Sequence, residues 1–337
     1  MKAMVMEAPG LENLRLKEVA DPEAGPGEVL VRLRAASLNF RDVLALRGGY
    51  GSRQKQAGLI PLSDGAGEVV QVGRGVRNFK PGDRVVNSFF PRWLAGPPDE
   101  RFLQQDLGGI EDGVACELRV FAADGLVAIP AGMSYLEAAT LPCAAVTAWN
   151  AVRVHGNAGP EQTVLTQGSG GVALFALQFA RAAGARVIVI SSTASKLERL
   201  QAVGAQHGIN YSDDAEWGKT ARKITAGRGV DLVVETAGAA TLKQSIRATR
   251  VGGMIAMIGM VSGPTAELNL PLVAMGSLRV HGIAVGSREH LEQVLAACAV
   301  NGLKPVIDRA YPLADLAEAL RHVESGRQFG KVCVEIG

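Results

Sequence analysis

The spacing of hydrophobic and polar positions changes near residue 129. Before that point, short β-rich runs such as 28–33, 67–73 and 83–86 are separated by glycine and proline, which is typical of an antiparallel sheet. After it, apolar residues at helical spacing alternate with β-branched runs. Such alternation predicts a doubly wound parallel sheet. The pattern therefore predicts an α/β chain with two differently built domains.

The second pattern predicts a definite series of elements. Helices are expected at 135–155, 171–183 and 195–203, and strands at 163–167, 185–190, 207–210, 230–235 and 253–258. Strands at 278–285, 306–311 and 331–336 and helices at 290–301 and 313–324 are expected to follow. We assign residues 129–268 to a dinucleotide-binding domain and residues 1–128 with 269–337 to a catalytic domain.

A glycine-rich turn follows the predicted strand at 163–167 and opens the next helix. Its form is G-x-G-x-x-A, in which Gly168 permits a tight turn and Gly170 lets the backbone approach a pyrophosphate. Such a turn can also be a plain connection, but the surrounding strand–helix–strand unit favours a cofactor site at a helix N-terminus. The predicted cradle comprises Gly168, Ser169, Gly170, Gly171 and Val172.

The end of the second strand predicts which cofactor binds. An acid at this position would bind the ribose 2′-hydroxyl of NAD and repel a 2′-phosphate. This chain instead has Ser191 and Ser192, followed by Lys196, which can donate hydrogen bonds and a positive charge to a phosphate. The same hydroxyl run can also cap the next helix. We therefore expect NADPH rather than NADH.

Composition excludes several classes of protein. The 337 residues are 47% hydrophobic and carry a formal net charge of +2, with acids and bases mixed along the chain. The sequence has no basic stripe of the kind that binds nucleic acid, and no apolar segment long enough to predict a membrane span. We therefore expect a cytoplasmic protein. The four cysteines show no C-x-x-C spacing, which argues against a disulfide framework or a clustered zinc site.

Several local motifs together resemble those of the medium-chain dehydrogenase/reductase superfamily. They span nearly the whole chain and lie at 26–29, 64–70, 81–85, 138–142 and 229–231. The resemblance implies a Rossmann domain inserted into a partly closed, GroES-like β-barrel domain, with the active site in the cleft between them. It also implies a homodimer formed through an edge strand, for which we nominate residues 278–285.

The chain differs from the zinc-dependent branch of that superfamily at its metal ligands. Asn39 stands at the first cysteine position and Ser63 at the histidine position, while Cys143 matches the last cysteine. One thiol cannot hold a metal that needs three protein ligands and a water, so we predict no zinc. Without a Lewis acid, charge on the acceptor oxygen must be met by hydrogen bonds or by proton transfer.

Residues 39–42, Asn-Phe-Arg-Asp, resemble the zinc-free quinone-oxidoreductase-like branch. By that resemblance, Asn39 would hydrogen-bond the substrate oxygen or the cofactor ribose, and Tyr50 would donate a hydrogen bond or proton. Tyr50 can alternatively be a loop residue that covers the cleft. Asp64 is a further candidate for the catalytic site, whereas Asp42 is expected to be structural, with Arg41 as its partner. The remaining cofactor candidates implied are Thr147, Gly259, Ser262, Val285 and Ser287.

These observations predict an NADPH-dependent, zinc-independent oxidoreductase that transfers hydride to a quinone or an α,β-unsaturated carbonyl. One alternative is an alcohol dehydrogenase or ketone/aldehyde reductase of the same superfamily. Another is a non-catalytic protein that binds the cofactor or RNA. The expected partners are a small carbonyl, enone or quinone substrate and a second copy of the chain.

Overall fold

Apolar residues alternate along the first third of the chain, and this part folds into antiparallel strands. The computed structural model describes residues 1–49, 51 and 54–337. The strands are β1 (Lys2–Met6), β2 (Leu14–Glu18), β3 (Glu28–Ser37), β4 (Asp64–Val72), β5 (Arg84–Asn87), β6 (Leu118–Ala122), β7 (Leu126–Ala128), β8 (Thr163–Gln167), β9 (Arg186–Ser191), β10 (His207–Asn210), β11 (Val230–Glu235), β12 (Thr249–Met257), β13 (Arg279–Gly282), β14 (Ile307–Pro312) and β15 (Lys331–Glu335).

Helices connect and cover these strands. They are α1 (Phe40–Leu46), α2 (Glu100–Leu103), α3 (Tyr135–Ala139), α4 (Val146–Trp149), α5 (Gly171–Ala182), α6 (Ala194–Val203), α7 (Trp217–Ile224), α8 (Leu242–Ala248), α9 (Leu270–Met275), α10 (Arg288–Asn301) and α11 (Leu316–Glu324). Within the described residues, no helix is long and apolar enough to cross a membrane.

The chain divides into two units. The first unit comprises Met1–Val146 and Gly286–Gly337, and the second comprises Thr147–Val285. In the first, β14, β15, β3, β4, β5 and β7 lie side by side, and β6 also pairs with β3. The strands from β15 to β7 pair antiparallel, whereas β14 and β15 run parallel. A closely packed core of Val, Leu and Ala side chains lies beneath this sheet.

The second unit is a doubly wound sheet. Its strands lie in the order β10-β9-β8-β11-β12-β13, and every neighbouring pair is parallel. The order reverses between β8 and β11, and ligands of such sheets bind at the carboxyl ends of the strands beside this reversal. The predicted fold class, a Rossmann sheet within a GroES-like domain, is confirmed.

Two of the predicted domain boundaries differ from the boundaries between the two units. Residues 129–146 belong to the first unit because α3 packs against β3 and β4. Residues 269–285 belong to the second unit because β13 extends the parallel sheet through β12. Both segments follow strong local patterns, but only long-range packing decides which sheet they cover.

Most elements lie where the pattern predicts them, with instructive exceptions. The helix expected at 135–155 is broken into short pieces by wider helical turns at 141–145 and 150–155. Pro142 opens the first of these turns, and it lacks the amide that a regular helix needs. The strand β13 is shorter than predicted, since it pairs only with the last four residues of β12.

Candidate functional site

The glycine turn of the second unit lies at the carboxyl end of β8. Gly168 adopts a positive φ of 78°, and its amide donates to the Ile190 carbonyl of β9 at 2.8 Å. Gly170 is the N-cap of α5, and a Cβ built on it would meet no atom within 4 Å. The space in front of α5 is therefore open, as a pyrophosphate requires.

The rest of this cradle presents backbone amides rather than side chains. Ser169 is buried, α5 begins at Gly171, and Val172 follows in its first turn. The helix is twelve residues long, so its first amides carry the positive end of a substantial dipole. An open glycine at a helix N-terminus beside the strand reversal fits a nicotinamide dinucleotide.

The strand β9 ends at Ser191, where the sequence lacks an acid. The Ser191 side chain is buried, whereas Ser192 and Lys196 are half-buried. Thr193 is the N-cap of α6, and its hydroxyl accepts a hydrogen bond from the Lys196 amide at 3.3 Å. The capping alternative thus applies to Thr193, and it leaves the predicted role of the two serines intact.

A buried carboxylate organises the edge beside the cradle. Glu235, at the end of β11, accepts hydrogen bonds from the Gln167 side chain at 2.7 Å and from the Gly238 amide at 2.9 Å. Gly259 donates its amide to the Glu235 carbonyl at 3.2 Å. The Ser262 hydroxyl donates to Ala237 and accepts from Ala240, so it ties two loops of this edge together. Sequence reasoning missed Glu235, although an acid ending an apolar strand is a visible signal.

Two further cofactor candidates of the second unit are Thr147 and Val285. Thr147 lies within α4 and is buried. Val285 has a positive φ of 54°, which a β-branched residue rarely adopts, and its carbonyl accepts from the Asn150 side chain at 2.9 Å. Strain of this kind is retained only where the surroundings impose it.

Ser287 lies in the first unit, two residues beyond Val285, and acts as a helix cap. It is buried, and its hydroxyl accepts from the His290 amide at 3.3 Å as the N-cap of α10. This hydrogen bond leaves the hydroxyl proton of Ser287 able to donate, and the predicted cofactor contact stays a prediction.

A polar cluster lies in the core of the first unit; we define it as Asn39, Asp42, Ser63, Asp64, Cys143 and Lys331. Asn39 and Asp42 form the capping box of α1, in which the Asp42 carboxylate accepts a hydrogen bond from the backbone amide of Asn39 at 2.7 Å. Burial raises the pKa of Asp42 to about 6, against the opposing effect of Arg41. The structural role expected for Asp42 agrees with this geometry.

Asp64, at the start of β4, is fully buried and accepts three hydrogen bonds. They come from the Ser63 hydroxyl at 2.6 Å, the Asn39 side-chain amide at 3.0 Å and the Cys143 backbone amide at 3.1 Å. The second contact of the Asn39 amide, to the Ser63 oxygen, is long at 3.5 Å. The structure thus brings the predicted candidates Asn39 and Asp64 together.

Lys331 is the member of the polar cluster that sequence reasoning missed. Its ammonium donates to the Leu38 carbonyl at 2.6 Å and to the Asn39 side-chain oxygen at 2.5 Å. The available signal was a lysine at the start of an otherwise apolar strand, β15. Arg41 forms the expected ion pair with Asp42, at 3.5 Å, and a closer one with Asp106. Tyr50 lies outside the described residues.

The donors of the polar cluster do not fit a zinc ion. The predicted ligand positions hold the Asn39 amide, the Ser63 hydroxyl and the Cys143 thiol, and zinc prefers thiolate, imidazole or carboxylate. Burial and the nearby Asp64 raise the pKa of Cys143, which disfavours the thiolate that a metal needs. Among the described residues, no three His, Cys, Asp or Glu side chains are grouped to hold a metal.

Family models match both parts of the chain. One described as "Alcohol dehydrogenase GroES-like domain" matches residues 25–131, and one described as "Zinc-binding dehydrogenase" matches residues 171–300. The second match begins at Gly171, the first residue of α5, and so includes only the last two residues of the nucleotide cradle.

Curated proteins are similar over nearly the full length. A zinc-type alcohol dehydrogenase-like protein of Schizosaccharomyces pombe is 41% identical, covering 98% of this chain and 97% of the relative. An acryloyl-coenzyme A reductase of Metallosphaera sedula is 29% identical, covering 98% and 99%. A quinone oxidoreductase of Pseudomonas aeruginosa is 30% identical, covering 95% of each.

Solved structures agree with the fold. A NAD-dependent alcohol dehydrogenase superposes with a TM-score of 0.91 at 36% identity, covering 100% of both chains. The quinone oxidoreductase of Escherichia coli in complex with NADPH superposes with a TM-score of 0.85 at 26% identity, covering 99% of this chain and 100% of that one.

Proposed function

The chain belongs to the medium-chain dehydrogenase/reductase superfamily and is an oxidoreductase, and from this premise we propose that it reduces conjugated carbonyls or quinones with NADPH and without zinc. The observation that carries the proposal is the donor set of the polar cluster. An amide, a hydroxyl and a protonated thiol stand where the zinc-dependent branch has metal ligands, and a buried ammonium lies beside them.

Conjugated acceptors suit such a site because their developing charge is spread over an enolate or a hydroquinone. Hydrogen-bond donors can stabilise this charge without a Lewis acid. The Asn39 amide has two hydrogens, of which one is held by Asp64 at 3.0 Å and the other makes only the 3.5 Å contact with Ser63. We assign this weakly held hydrogen to the acceptor oxygen, with Tyr50 as a predicted second donor.

A bound nicotinamide supplies the hydride. The chain's own residues bind and orient it: amides at Gly168–Val172 would hold the pyrophosphate, while Ser191, Ser192 and Lys196 would hold the 2′-phosphate. Thr147 and the strained Val285 would orient the nicotinamide ring, and the loops that begin at Gly259 and Ser262 would line the carboxyl edge. The absence of an acid at the end of β9 supports NADPH over NADH.

We also propose a homodimer in which the edge strand β13 pairs with β13 of a second copy and so joins the two sheets edge to edge. This strand is at the edge of the sheet, and all four of its residues are exposed. Exposed apolar side chains lie on it and on the preceding helix, including Val280 at 42% and Met275 at 84%. An open edge with apolar neighbours is a pairing surface that a second copy can cover.

The test is the oxidation of NADPH and NADH by EDTA-treated, metal-analysed protein. The panel contains quinones, enones, simple aldehydes and simple ketones. We expect turnover of enones or quinones with NADPH and no response to added zinc. Turnover of simple carbonyls alone, or turnover that requires zinc, would instead support the alcohol dehydrogenase alternative. Silence across the panel together with NADPH binding would support a non-catalytic cofactor-binding protein.

A further inference from the structure

A buried ammonium is the least expected feature of the polar cluster. Lys331 is 3% exposed, and the next three residues of β15 are buried and apolar. Burying a charged group is costly unless it is paired and hydrogen-bonded. Its two acceptors, the carbonyl of Leu38 and the side chain of Asn39, belong to the segment that leads into α1.

The ammonium decides which way the Asn39 amide points. An ammonium can only donate, so the atom facing Lys331 at 2.5 Å must be the amide oxygen. The amide nitrogen must then face Asp64, whose carboxylate can accept at 3.0 Å. Lys331 thereby sets one end of a chain of hydrogen bonds that runs through Asn39 to Asp64.

The same ammonium balances the negative charge of this core. The carboxylates of Asp42 and Asp64 are both fully buried, and the negative charge of Asp64 raises the pKa of Asp42. Arg41 and Lys331 are the cations that oppose this effect at Asp42. The closest ion pair of Arg41 is with Asp106, and its guanidinium donates a further hydrogen bond to the Leu107 carbonyl. Lys331 is the cation that contacts Asn39 itself.

We propose that Lys331 is a positioning residue whose ammonium is the fixed cation of the active site. In the zinc-dependent branch a metal ion orders the residues at this place, and here the ammonium of Lys331 does so. By holding the side-chain oxygen of Asn39, the ammonium turns the side-chain nitrogen of Asn39 toward the acceptor oxygen of the substrate. The same orientation keeps the hydrogen bond from Asn39 to Asp64 in place. The inference rests on the proposed function, and it adds a residue and a charge requirement to it.

The first test separates the charge of Lys331 from its volume. Lys331→Met keeps most of the stem and removes the charge, Lys331→Ala removes both, and Lys80→Met is the control at an exposed lysine of the same unit. We expect kcat/KM for an enone with NADPH to fall on the order of 10- to 100-fold in both Lys331 variants, mainly through kcat, because Asn39 is misoriented.

Chemical rescue then identifies the cation. Ethylammonium or propylammonium should restore part of the activity of Lys331→Ala in a saturable manner, whereas propanol of similar size should not. Lys80→Met should match the wild type. Wild-type kcat/KM in Lys331→Met, or equal rescue by propanol and propylammonium, would overturn the proposal, because either result would mean that only volume matters.

A second readout needs no substrate, so it remains decisive if hydride transfer itself is not found. The titratable groups that act on Asp42 are Arg41, Asp64, Lys331 and the neutral Cys143 thiol, so removal of the ammonium should move the titration of Asp42 to higher pH. The titration is followed as the pH dependence of the unfolding midpoint, with Asp42→Asn in each background to isolate this group. An unchanged midpoint pH in Lys331→Met would refute the charge role, whether or not the enzyme assay succeeds.

Discussion

The buried carboxylate of Glu235 accepts a hydrogen bond from the side-chain amide of Gln167, 2.7 Å away, and so links the ends of the two strands at which the order of the parallel sheet reverses. The other carboxylate contacts are also donors: the hydroxyls of Thr241 and Ser245 and the amides of Ala237 and Gly238. A group surrounded only by donors must be an acceptor at both oxygens.

Glu235→Gln should therefore destabilise the protein despite its equal size. Its amide nitrogen would face donors whichever way it points, at a cost of roughly 2–4 kcal/mol. Urea unfolding measures the loss, with the exposed Glu161→Gln as control. NADPH affinity should fall as well, since the loop at 236–238 loses its anchor. A stability equal to that of the control would contradict this account of the network.

The buried Asp42 predicts a pH-dependent stability. Its folded-state pKa of about 6 lies above the ordinary value of about 3.9. The native state therefore binds this proton more tightly, so the stabilisation is full below pH 3.9 and is lost as the pH rises through 6. The loss amounts to about 2–3 kcal/mol for a shift of this size.

Asp42→Asn removes that titration, while the side-chain oxygen of the new asparagine can still accept a hydrogen bond from the backbone amide of Asn39. We expect the variant to gain stability relative to the wild type between pH 4 and pH 7. Urea unfolding at four pH values across this range measures the difference. Parallel curves for the two proteins would show that Asp42 is ionised throughout and that the assigned pKa direction is wrong.

A substitution of Gly170, the N-cap of α5, should weaken NADPH binding with little effect on the stability of the fold. Gly170→Ala adds a Cβ to open space at an ordinary φ of −78°. The lower chain entropy of alanine in the unfolded state is offset by its being a poorer N-cap than glycine, so the stability of the fold should change by no more than about 1 kcal/mol. The same methyl group would occupy the approach of the pyrophosphate. The Kd for NADPH should therefore rise on the order of 10-fold or more, which is about 1.4 kcal/mol.

Fluorescence titration with NADPH measures this change. Gly159→Ala is the matched control, because its added Cβ also meets no atom within 4 Å and the residue lies in the segment before β8, at the opposite end of this strand from Gly170. Unchanged affinity in Gly170→Ala would mean that the cofactor phosphates bind elsewhere.

Ser191→Asp and Ser192→Asp should shift the preference toward NADH. A carboxylate at the end of β9 would repel the 2′-phosphate by about 1–4 kcal/mol, which corresponds to on the order of 10-fold or more in the ratio of the two kcat/KM values. Because Ser191 is buried, its variant is also checked by thermal unfolding. The control is Ala215→Asp, which adds the same charge at an exposed position of the same unit. A preference for NADPH unchanged in both serine variants would refute the cofactor assignment.

The exposed strand β13 predicts the oligomeric state. Val280→Glu adds a charge to the edge and should convert the proposed dimer to a monomer, as seen by sedimentation velocity. Val300→Glu, at a more exposed valine of α10, should leave the dimer intact. A wild-type chain that sediments as a monomer would refute the proposed pairing.

Much of the fold followed from local pattern. The strands β8, β10 and β11 begin and end where the sequence pattern predicts them. β8 and β11 are buried along their whole length, and short buried runs rich in β-branched residues strongly favour a strand. The glycine turn before α5 was equally visible, since its backbone conformation is encoded in adjacent residues.

The polar cluster was only half visible in the sequence. Asn39 and Asp64 could be nominated by motif, but Lys331 could not, because it is separated from them by nearly the whole chain. Its meeting with Asn39 depends on the antiparallel pairing of β15 with β3, which local spacing does not encode. The assignment of segments 129–146 and 269–285 to their units depended likewise on long-range packing.

The sequence by itself thus determined the elements, the cofactor turn and the absence of the usual metal ligands, all of which depend on residues close together in the chain. Only the tertiary structure decided which charges share the core. Burial makes a charge depend on every neighbour that folding brings within a few ångströms, and the buried pairing of Lys331 with Asn39 arises only after the sheet has formed.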